Sequence, residues 1–119
     1  MCGGVDPLYG WTIEVDTFFS PDVDPTPEDH ISFHFDGNVV GYEAYAVLPE
    51  MEDDSWHDMV IDVVAPRVTV SIDGVVYLDE EMEGDFDFPA LVGFTAATGG
   101  ETNYHRIDSL TVIENLCEE

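Results

Sequence analysis

Arg67-Val68-Thr69-Val70-Ser71-Ile72-Asp73-Gly74-Val75-Val76-Tyr77-Leu78 decides the fold class of this chain. Aliphatic and polar residues alternate from Val68 to Ile72, the period-two pattern that turns one face of a strand to a core and the other to water. Asp73-Gly74 interrupts the pattern with a pair suited to positive φ at both positions, and a second apolar run follows at once. Two strands joined by a two-residue turn make a β-hairpin.

Working outward, the same grammar recurs. Strand patterns are expected at Trp11-Thr12-Ile13-Glu14-Val15-Asp16, at 31–35, at 38–48 behind the turn pair Asp36-Gly37, at 56–64, 91–97 and 105–113. Alternation is clean in Met59-Val60-Ile61-Asp62-Val63, and no stretch keeps helical periodicity for more than a turn. Residues 49–55 and 79–87 read as acidic loops, and Trp56 as a core residue at a strand start. His34 and His105 read as structural groups within strands. With no linker, repeat or low-complexity tract, residues 1–119 read as a single all-β domain, an antiparallel sandwich of eight short strands.

Charge sets the next bound. The chain has 27 acidic residues against Arg67 and Arg106, a formal net charge of −25. Such a surface repels nucleic acid and anionic membranes, so neither is an expected partner. Apolar residues at 45% and aromatics at 12% argue for a folded core despite the charge. Self-repulsion on this scale asks for screening salt or bound cations, which fits a saline or calcium-containing setting; an extracellular or cell-surface location is expected. No apolar run approaches the roughly 20 residues of a membrane-spanning helix. Met1-Cys2-Gly3-Gly4 lacks the basic start and apolar middle of a signal peptide. Cys2 and Cys117 stand as a disulfide or as two free thiols; a bridge would contribute about 4–5 kcal/mol in the chain-entropy model.

The chemistry concentrates near the first strand. Glu14 and Asp16 leave the same face of it, the following loop carries Asp24-Pro25, and His30 opens the next strand. Acid-x-acid pairs also occur at Asp22/Asp24, Glu50/Glu52, Glu81/Glu83 and Asp85/Asp87, so the pair alone carries nothing. Its company does: carboxylates and an imidazole drawn from two strand ends and one loop suit a metal site. Hard oxygen ligands suit calcium, and the imidazole suits a neighbouring transition ion.

Two segments resemble the L-type (legume-type) lectin domain of the concanavalin-A-like jelly-roll class. They are Ile13-Glu14-Val15-Asp16-Thr17-Phe18-Phe19-Ser20 through Asp24-Pro25 to His30-Ile31-Ser32, and Leu91-Val92-Gly93-Phe94-Thr95-Ala96-Ala97-Thr98-Gly99 with Asn103-Tyr104-His105-Arg106-Ile107. The resemblance implies an antiparallel jelly-roll β-sandwich. It implies Glu14 and His30 as ligands of a second ion such as Mn2+, with Asp16 and Asp24 shared by both ions. It implies calcium held by Asp16, Asp24, the Phe18 carbonyl and the Ser20 side chain. Phe18, Ser20, Gly99, Gly100 and Asn103 would then face a sugar. Position 20 carries serine where family members have asparagine, and the sugar-binding aspartate of plant members has no counterpart here. Sandwiches of this kind commonly run to about 200–250 residues, so the resemblance implies a shortened or partial domain.

A catalytic reading fails on one position. Related glycosidases have the strand pattern Glu-x-Asp-x-x-Glu; Glu14-x-Asp16 fits its start, but Phe19 occupies the last place. The expectation is therefore a non-enzymatic, calcium-dependent glycan-binding module that assembles as a homo-oligomer to multiply weak sites. The alternative is a calcium-binding structural or adhesion module with no sugar site, and a glycoside hydrolase relative comes third.

Overall fold

The computed structural model describes residues 10–38, 41–84, 86, 92–97 and 105–113. Among them six strands form: β1 (Trp11–Asp16), β2 (His30–Phe35), β3 (Ala44–Val47), β4 (Met59–Val64), β5 (Arg67–Ile72) and β6 (Val75–Glu81). They make two antiparallel three-stranded sheets in the orders β1-β2-β3 and β4-β5-β6, with β3 lying against β6.

The β5–β6 hairpin has the turn its sequence dictates. Asp73 and Gly74 take φ of 52° and 82°, the left-handed pair that matches the right-handed twist of the flanking strands. Asp36 and Gly37 do the same after β2, at 54° and 71°. Ala65-Pro66, joined by a cis peptide bond, turns the chain from β4 into β5. A register shift at Val70/Ser71 moves the β6 partners from Leu78 to Val76, bending the hairpin near its tip.

Alternation then sorts the side chains. Val68, Val70 and Ile72 of β5 and Leu78 of β6 point to the core, where they meet Ile31 and Phe33 of β2, Ala44 of β3, Leu48 and Met82. Phe33 anchors an aromatic cluster: Trp11 stacks on it at 5.7 Å, and Phe35 meets it edge-on at 5.0 Å. Phe86 completes the group against Phe35 at 5.4 Å. The core face of the first sheet is therefore aromatic and that of the second aliphatic, and they close on each other.

Several expectations are corrected. Among the described residues the chain forms two small three-stranded sheets and no closed jelly roll, which would draw on about eight strands. Of the two late segments expected as strands, the described residues 92–97 and 105–113 take no strand conformation, and Val92, Phe94, Ile107 and Val112 are exposed. β3 is shorter than expected because residues 41–43 stay outside it, and β4 begins at Met59 rather than at Trp56. Trp56 is 65% exposed and packs in no core. Residues 79–81 belong to β6 and are not loop. β4 is an edge strand whose Val60, Ile61 and Val64 all face solvent, against the half-burial its alternation suggested.

Candidate metal centre

The pairing of β1 with β2 builds the site. In the antiparallel register Glu14 lies opposite Ser32, Asp16 opposite His30 and Thr12 opposite His34. Since Ile31, Phe33 and Phe35 turn to the core, His30, Ser32 and His34 turn to the other face of the sheet, with Glu14 and Asp16 beside them. One donor atom from each of Glu14, Asp16 and His30 lies within 4.8 Å of the other two. The carboxylates are half-buried and His30 is buried, 2% exposed.

Hydrogen bonds fix the donors. Nδ1 of His30 lies 3.2 Å from the Glu28 carbonyl, which can only accept, so in the neutral form of the ring Nδ1 is the protonated nitrogen and Nε2 has the lone pair. A backbone carbonyl on the second nitrogen is how ligating histidines are commonly oriented. Asp16 Oδ1 accepts the Phe18 N–H at 2.8 Å. Burial pushes the Asp16 carboxyl above the ordinary carboxylate range, with the adjacent Asp24 charge adding to the rise. The Phe18 N–H and His30 work against that rise. Two carboxylates and a neutral imidazole on one rigid strand pair can chelate a divalent cation.

The other expected ligands belong to the loop that follows β1. Asp24 lies against Asp16, and its Oδ2 accepts the Ser20 N–H; it closes the 20–24 turn and stands outside the converging trio. The Ser20 carbonyl accepts from Val23 and Asp24 in the same turn. Phe18 is 57% exposed, its ring in solvent. Gly99, Gly100 and Asn103 fall outside the described residues, as do Cys2 and Cys117.

One neighbour is His34, read from the sequence as a structural group. His34 Nε2 lies 3.7 Å from Glu14 Oε1 and 2.8 Å from Ser32 Oγ, while its Nδ1 contacts the Asn38 carbonyl at 2.7 Å. Its spacing from His30 was the available signal: residues four apart on a strand share a face.

Compared with protein-family models, curated proteins and solved structures, the chain matches none of them. The resemblance to L-type lectins is therefore overturned. Its later half rested on segments that form no strand among the described residues, and its fold required a sandwich larger than two three-stranded sheets. The convergence of the acid-x-acid pair and the histidine of its first half follows from the β1–β2 register.

Proposed function

We propose that this chain is a structural β-module stabilised by a divalent cation, with calcium as the ion and Glu14, Asp16 and His30 as its protein ligands. The observation that carries the reading is the convergence of three donors from two paired strands, one of them a buried imidazole with its tautomer fixed by Glu28. A net charge of −25 gives such an ion a second use, because each bound cation relieves repulsion that the two arginines cannot. The carboxylate oxygens favour calcium. The imidazole favours a borderline ion such as Mn2+, so the two compete for the same donors. The module acts by holding shape rather than by catalysis.

Calorimetric titration with Ca2+ and with Mn2+ tests this. One site per chain is expected, lost in Asp16→Asn and weakened in His30→Gln. Unchanged binding in both variants would place any bound ion elsewhere on the acidic surface.

A further inference from the structure

His57 belongs to the crossover, residues 48–58, that carries the chain from β3 of one sheet to β4 of the other. Both of its ring nitrogens face a carboxylate. Nδ1 lies 2.6 Å from Asp73 Oδ2, in the β5–β6 turn, and Nε2 lies 2.8 Å from Asp53 Oδ1, in the crossover itself. An ionised carboxylate only accepts, so both contacts are hydrogen bonds only when both nitrogens carry protons, which is the imidazolium. A neutral ring would set one lone pair against a carboxylate oxygen at the same distance.

The two aspartates are committed on their other sides as well. Asp73 accepts the Asp58 N–H through Oδ1 at 2.9 Å, and the Asp58 carbonyl accepts the Asp73 N–H at 2.8 Å. Asp53 Oδ1 also accepts the Ser55 N–H at 3.1 Å. One imidazolium thus joins two segments that otherwise present only negative charge to each other: the crossover, with Asp53, Asp54 and Asp58, and the turn, with Asp73. The charged groups acting on His57 are Asp73 and Asp53, and Arg67 is engaged with Asp79 at 2.8 Å.

We propose that His57 is a pH-sensitive clasp, which when protonated pins the inter-sheet crossover to the β5–β6 turn and on losing its proton lets the crossover end and the start of β4 come away. The Asp73 and Asp53 hydrogen bonds hold the ring's pKa above its ordinary 6.5, and His57 holds both carboxyls below theirs. The clasped state keeps its proton where the open one gives it up. The clasp is therefore complete below the ordinary histidine value and lost as pH rises through the raised one. Between those two values the opening constant rises by up to about tenfold per pH unit. The ring is accessible to solvent protons, with 22% of its side-chain surface exposed. This device is separate from the metal centre and shares no residue with it.

Proton NMR of the histidine rings, run with amide-exchange protection factors for Asp58 and Asp73, tests the clasp in the intact chain. The His57 signal is expected to titrate above 6.5, and Asp73→Asn and Asp53→Asn each to lower its midpoint. Protection of the two amides is expected to fall over the same pH interval, after correction for base-catalysed exchange. His57→Gln is expected to abolish that pH dependence. A wild-type midpoint at or below 6.5, or protection at Asp58 and Asp73 that ignores pH, would overturn the proposal without any variant being needed.

Discussion

Phe33 shows how much of this fold hangs on single side chains. It is fully buried, stacks with Trp11 and meets Phe35 and Phe86, so truncation removes the contact that joins β1 to the core face of β2. Phe33→Ala is expected to cost about 3–5 kcal/mol, read from the midpoint of urea unfolding. The same strand shows what could be read in advance. That Glu14 and Asp16 share a face follows from strand pleat alone, and His30 opening the next strand was equally plain. Asp24 lies against Asp16 but outside the trio that converges within 4.8 Å, and its capping of its own turn on Ser20 is a loop geometry that no strand pattern announces. His57 was unreadable for the opposite reason. Its partner Asp73 is 16 residues away, brought to it by tertiary pairing that no local pattern encodes.

At the scale of elements, local signals held and distant ones did not. The hairpin at Asp73-Gly74 was legible because turn geometry and alternation lie within one short stretch. The glycine itself can be tested: at φ 82° with nothing crowding its would-be Cβ, Gly74→Ala meets backbone strain and no clash. It is expected to lower stability by about 1–2 kcal/mol by thermal or urea unfolding, the cost of a left-handed non-glycine residue. Residues 92–97 and 105–113 carry strand-like composition, yet a strand also needs a partner edge, and composition says nothing of partners. β4 makes the same point, since its apolar residues predicted burial that an edge position does not provide. Val64, 69% exposed, is expected to tolerate threonine within about 0.5 kcal/mol, whereas the 2% exposed Leu78 is expected to lose about 2–5 kcal/mol as alanine. Equal losses at the two positions would mean that β4 is covered.

At the scale of the whole molecule, charge dominates. With a formal net charge of −25 on 119 residues, the folded chain concentrates repulsion that unfolding relieves. Raising NaCl from 0.01 to 0.1 M shortens the screening length from about 30 to about 10 Å, so the melting temperature is expected to rise with monovalent salt alone. A bound cation does more than screen, because it binds the folded state in preference to the unfolded one. At a concentration a hundredfold above its Kd it would contribute about 2.7 kcal/mol. The central claim, that Glu14, Asp16 and His30 hold a divalent ion, is therefore tested most directly by thermal melts in NaCl and in CaCl2 at matched ionic strength, each repeated with Asp16→Asn. The account predicts a calcium-specific rise in melting temperature that EDTA reverses and Asp16→Asn removes. Equal melting temperatures in the two salts, or a calcium effect that survives Asp16→Asn, would contradict it.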